Sequence, residues 1–159
     1  MRHHLFTRIA VCAAVAGSAS LAAAVVPAGI ASATALSVTC TTMSGTATTQ
    51  AISGCTGTGA IAADAGTAPA KGTQTTSTKT IKWSNAKTSV LTYTYKPVTP
   101  NNCVAPAGYT KFLKEAETGH VSGGTATGMV GSLVTGTACI YKKTVGGTIL
   151  VKNQGPFKV

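Results

Sequence analysis

Acid is nearly absent from this sequence. Asp64, Glu115 and Glu117 are its three acidic side chains, set against 13 lysines and arginines in 159 residues. Arginine stops at Arg8, so the rest of the chain has nothing that grips a phosphate or a guanine edge with two parallel donors, and nucleic acid is excluded as a partner class. No C-x-x-C or H-x-x-x-H spacing offers a metal site, and no G-x-S-x-G turn presents a serine nucleophile. The runs "GTGA" and "GGTATG" lack the Lys-Ser or Lys-Thr ending of a phosphate-cradling loop.

These absences leave His120, Asp64, Glu115 and Glu117 as the candidate general bases outside the N-terminal segment, too few for acid–base chemistry to be the expected role. "TGHVSG" reads as a turn around His120, and Asp64, in an Ala- and Gly-rich connection, reads as exposed. Glu115 and Glu117, two apart, read as a solvated charge cluster beside Lys111. No catalytic, metal or cofactor residue is expected, and the protein is read as a non-enzyme. A weak hydrolase dependent on His120 is one alternative.

What is present begins with an address. Arg2, His3, His4 and Arg8 make a basic start, Ile9 to Val26 follows without a charge, and Pro27 ends the run. Small residues at Ala31 and Ala33 fit a signal-peptidase box, so residues 1–33 are expected to be a signal peptide cut after Ala33, with Ala35 as a second option. Left uncut, the apolar run sits at the lower limit for crossing a bilayer, and it is the one membrane contact expected. Cys12 in "IAVC" lacks the small residue that precedes a lipidated cysteine and is expected to leave with the peptide. What remains, 34–159, is one exported domain, secreted or held at the cell envelope.

That domain keeps four cysteines, Cys40, Cys55, Cys103 and Cys139, an even number that in an oxidising compartment reads as two disulfides. Three pairings are open. Cys40 with Cys55 and Cys103 with Cys139 is favoured, because each pair brackets a compact segment with its own turns.

"LSVTCT" alternates strictly, the pattern of a strand with one buried face. Thr56 to Thr78 is small and polar and reads as a long surface connection with one short strand at Ala60 to Ala62. "KTIKWSNAKTSVLTYTYKPV" is a β-hairpin that turns at Ser84 to Lys87, with Leu91, Tyr93 and Tyr95 on one face. The segment 109–118 suits a strand or a short helix, and strand is preferred. "GSLVTGTACIYKK" and "GTILVKNQGPFKV" add two strands around a Gly-Gly turn. Trp83, Tyr93 and Tyr95 are read as the large anchors of a thin core, or else as an outward platform for stacking sugars. Met43 and Met129 are read as gap-fillers or loop residues. The sum is an all-β protein of about seven or eight short antiparallel strands, an Ig-like sandwich or a small barrel, stapled by two disulfides.

"LSVTCTTMSGTATTQAISGCTG", the "IKWSNAKTSVLTYTY" hairpin and "CVAPAGYT" with a late "TACIY" together resemble small exported actinobacterial proteins with four cysteines. The resemblance covers most of the exported part and implies compartment and fold without an activity. The chain is also similar in size, disulfide number and all-β character to the neocarzinostatin-like apoproteins, which implies carriage of a small ligand in an apolar cleft. It departs from them in cysteine spacing and in being basic. With eleven lysines against three acids after the signal peptide, the expected partner is an anionic envelope polymer or protein, drawn by long-range attraction.

Overall fold

In the computed structural model, which describes residues 37–67, 69–75 and 77–159, nine strands join in one antiparallel sheet that closes on itself. The expected signal peptide and its expected cleavage after Ala33 or Ala35 lie outside the described residues. The strands are β1 Thr39–Gly45, β2 Thr49–Thr56, β3 Ala70–Gln74, β4 Thr78–Lys82, β5 Thr88–Pro97, β6 Tyr109–Gly123, β7 Leu133–Lys143, β8 Ile149–Asn153 and β9 Phe157–Lys158, with one short helix, α1 Ala60–Ala65, between β2 and β3. Each of β1 to β7 pairs with the next, and β8 returns to β1 through Ser44 with Lys152 and Gly45 with Val151. Of the two expected architectures the chain adopts the barrel, a closed eight-strand meander with β9 as an extra strand.

β9 continues the line of β8 after an interruption at residues 154–156. Phe157 and Lys158 pair with Cys40 and Thr39 of β1, and Lys158 also pairs with Thr135 of β7. Beyond it, Val159 and Val38 exchange both backbone hydrogen bonds.

Alternation decides which side chains enter the lumen. On β5, Ser89, Leu91 and Tyr93 are buried while Thr92, Thr94 and Lys96 are exposed, as the hairpin reading required. Ile52, Ile81, Val121, Val134 and Phe157 fill the middle of the barrel from the other strands. The ring of Phe157 occupies space beside Gly136, where a Cβ would lie 2.7 Å from Cδ2. Gly54, at φ 62°, breaks the alternation of the first hairpin, so Cys55 and Ile52, three residues apart, are both buried. Outward positions carry mainly threonine and lysine, the reverse of a lipid-facing barrel wall. No helix among the described residues is long and apolar enough to cross a membrane.

The two disulfides are Cys40–Cys55 and Cys103–Cys139, the favoured pairing. The first joins residues directly opposite on β1 and β2. The second ties the β5–β6 connection to the outer face of β7, where Cys103, Cys139 and Tyr141 form a small second core with Ala105, Tyr109 and Leu150 against it. Two disulfides fit an oxidising compartment.

Three local readings are corrected. The short strand at Ala60 to Ala62 is instead the start of helix α1, whose residues "AIAADA" are mostly alanine, the best helix former, and which buries Ile61 and Ala65. The long surface connection from Thr56 to Thr78 contains that helix and the whole of β3. His120 is not in a turn but on β6, paired with Thr92 and Leu133 and exposed on the outside. The preferred strand at 109–118 is part of β6, and both Met43 and Met129 are buried.

Candidate functional site

The two ends of the barrel differ. A meander puts alternate connections at the same end. The β2–β3, β4–β5 and β6–β7 connections therefore meet at one of them, where Ile61, Ala65, Trp83, Ala126 and Met129 form a buried plug. Trp83 Nε1 donates to Ser89 Oγ at 2.8 Å, so its one polar atom is satisfied inside.

Asp64 clasps this closed end. It takes the Lys87 ammonium on Oδ1 and the Gly128 amide on Oδ2 at 2.6 Å, while Asn85 Nδ2 donates to the carbonyls of Ala63 and Asp64. The hydrogen bond from Lys87 leads in holding its carboxyl below the usual range, desolvation opposes it, and the Gly128 amide adds to the lowering. Asp64 is buried rather than exposed as its setting in the sequence suggested, because Lys87 and the Gly128 amide hold its carboxylate and the missing side chain of Gly128 leaves room for it.

The opposite end is open. Here a cavity of about 90 Å³ is lined by Met43, Ala47, Gln74, Lys79, Tyr95, Glu115, Glu117, Ala138, Ile140, Ile149 and Val151. Its floor is an ion pair. Lys79 on β4 and Glu117 on β6 are both buried, with Lys79 Nζ 2.9 and 3.3 Å from the two carboxylate oxygens. The same ammonium lies 3.7 Å from Met43 Sδ, 5.0 Å from the Phe157 ring centre and 5.4 Å from that of Tyr93. Aromatic faces and sulfur thus replace part of the water that the ammonium gave up.

Tyr93 and Tyr95 follow Leu91 into the lumen and meet edge to face with ring centres 4.8 Å apart. Tyr93 Oη donates to the Thr75 carbonyl at 3.0 Å. Burial, then the Glu117 charge, pushes the Tyr95 hydroxyl far up, so it remains protonated. Trp83 and Tyr93 are interior anchors and Tyr95 is half-buried on the cavity wall, so none of the three forms an outward platform.

Glu115 and Glu117 are not a solvated cluster beside Lys111. A register shift between Lys111 and Leu113 gives β6 an extra residue at Phe112, which puts Lys111 outside, beside Asn101, while the two glutamates line the cavity. Glu115 is half-buried, and desolvation, then the neighbouring Glu117 charge, raises its carboxyl. Nearby, Gln50 Nε2 donates to the Thr46 and Ala47 carbonyls and to Gln74 Oε1, and Gln50 Oε1 has no partner among the described residues.

Sequence reasoning missed the Lys79–Glu117 pair. The available signal was the alternation of "TKTIK", which places Lys79 on the face of Ile81.

With Glu115 and Glu117 inside and Asp64 held at the closed end, the outer wall is left to lysine. Among the described residues Lys79 and Lys87 alone make ion pairs with acidic side chains, so nine of the eleven lysines do not. Lys71 and Lys82 stand directly opposite each other on β3 and β4, with Ala51 next in the same row. They flank a shallow groove of about 380 Å³ with Ala51, Pro69, Ala70 and Trp83. Like charges facing each other across strands destabilise a sheet.

His120, on the outer wall, is separated by the barrel wall from the interior glutamates. No group of three or more potential metal ligands occurs among the described residues. Comparison with family models, with curated proteins and with solved structures finds no match to this chain.

Proposed function

We propose that this is an exported, non-enzymatic binding protein that holds an anionic envelope polymer, or a protein of like charge, on its lysine-covered wall. The observation that carries the reading is the division of charge, with the acidic side chains withdrawn and nine lysines left without an acidic partner. A neutralising partner also relieves the repulsion between Lys71 and Lys82, which makes their groove the natural centre of contact. The two disulfides, with the signal peptide expected from the sequence, support export, and the placing of His120 away from the glutamates supports a role without catalysis.

The test is co-sedimentation with isolated envelope polymer in a salt series. Binding is expected to fade between about 0.1 and 1 M salt, as the screening length falls from about 10 to about 3 Å. Lys71→Glu with Lys82→Glu is expected to weaken it further at low salt. No binding at low salt, or binding that salt leaves unchanged, overturns the reading.

A further inference from the structure

We propose that the open end of the barrel binds a small organic cation, an alkylammonium whose aliphatic body lies against Ile140, Ile149 and Val151 and whose head meets Glu115. This goes beyond the polyanion reading and is independent of it, since it concerns the lumen rather than the outer wall.

Size comes first. A cavity of about 90 Å³ holds roughly the volume of three liquid waters, enough for a ligand of about four or five heavy atoms with its far end at the mouth. One wall is aliphatic, made by Ile140 of β7 and Ile149 and Val151 of β8, with Ala138 and Met43 deeper. Water against such a wall gains little, so an alkyl group is the favoured occupant of that side.

Charge comes second. Lys79, Glu117 and Glu115 line the same cavity, and Lys79 offsets only one of the two carboxylates. Among the described residues the Glu115 carboxylate makes no hydrogen bond and no ion pair, although it is half removed from water. A single positive charge completes the site, and a second negative one is repelled.

The inventory of donors points the same way. The Lys79 ammonium is occupied by both Glu117 oxygens and Met43 Sδ, and Gln74 Oε1 is taken by Gln50. Among the described residues the Glu115 carboxylate on the cavity wall and the buried Gln50 Oε1 are acceptors left without a partner. An ammonium brings donors and no acceptor, which matches that surplus. The lysines of the outer wall oppose a cation at long range, but salt screens them while the contact with Glu115 is short and partly desolvated. Their effect belongs to the association rate.

The experiment follows the methyl signals of Ile140, Ile149 and Val151 by NMR in the disulfide-intact protein. It is titrated in turn with n-butylammonium chloride, n-butanol, sodium butyrate and potassium chloride at constant ionic strength. Saturable shifts are expected with n-butylammonium, weaker ones with butanol, and none with butyrate or potassium. Glu115→Gln, which keeps the shape of the side chain, is expected to weaken n-butylammonium by about tenfold or more, the scale of a lost charge-assisted hydrogen bond, and to leave butanol unchanged. Ala47→Phe, at the exposed rim, is expected to block both. Equal binding of butanol and n-butylammonium, preference for butyrate, the same shifts from potassium chloride, or full affinity in Glu115→Gln each overturns the assignment.

Discussion

Replacing Lys79 with alanine strands the Glu117 carboxylate in the lumen without its counter-charge. Removing one partner of a buried pair typically costs about 3–5 kcal/mol, because the remaining charge has neither water nor a mate. The pair itself need not be a large net gain over an apolar filling. Lys79→Met combined with Glu117→Leu is therefore expected to recover most of what Lys79→Ala loses, with both read as urea midpoints. If the double variant is as unstable as the single one, the pair contributes specific geometry that simple charge neutrality does not replace. The pair was hard to read from sequence because its members lie 38 residues apart and come together only through β5, and nothing local marks a lysine as inward except its place two residues before Ile81.

Among the elements, the β5–β6 connection depends most on a covalent tie. It runs over the outer face of β7 and has Cys103, Cys139 and Tyr141 as its own small core. Loop-entropy reasoning gives about 4 kcal/mol for a bridge spanning 36 residues and about 3 kcal/mol for one spanning 15. Cys103→Ala with Cys139→Ala is expected to speed amide exchange through residues 98–108 while the paired amides of β2 to β4 stay protected. Uniform loss of protection would mean that this connection belongs to the cooperative core. The elements legible in the sequence were those with large apolar side chains at period two, β5 above all. Helix α1 and strand β3 were not, since "AIAADA" and "AKGTQ" carry one large apolar residue between them and take their form from what they cover. The extra residue at Phe112 was equally silent, and it alone moves Lys111 away from the glutamates.

At the scale of the whole molecule, the two barrel ends respond to acid with opposite sign. Asp64 at the closed end has its carboxyl lowered by folding, so the stability it lends is present above its unfolded value, about 3.9, and is lost as pH falls through its folded value. Glu115 at the open end has its carboxyl raised, so its contribution is complete below its unfolded value, about 4.3, and is lost as pH rises through its folded value. On acidification from neutrality, stability is expected to rise as Glu115 takes its proton and then to fall as Asp64 takes its own. Thermal melts across pH should show the rise abolished in Glu115→Gln and the final fall reduced in Asp64→Asn. A wild-type profile without the rise would contradict the raised carboxyl.

Closure of the sheet has a further consequence for how the protein meets others. β1 is joined to β2 along one side and to β8 and β9 along the other, and the interruption at residues 154–156 is itself tied by the Gln154 amide to the Thr137 carbonyl. A threonine-rich sheet with a free border is a template on which any extended chain can lengthen it, whether a legitimate ligand or another copy on the way to a fibril. Here the border is consumed by the molecule's own last strands. Along β1, recognition has to be read from side chains and their charges, because a stray strand finds its two borders already taken.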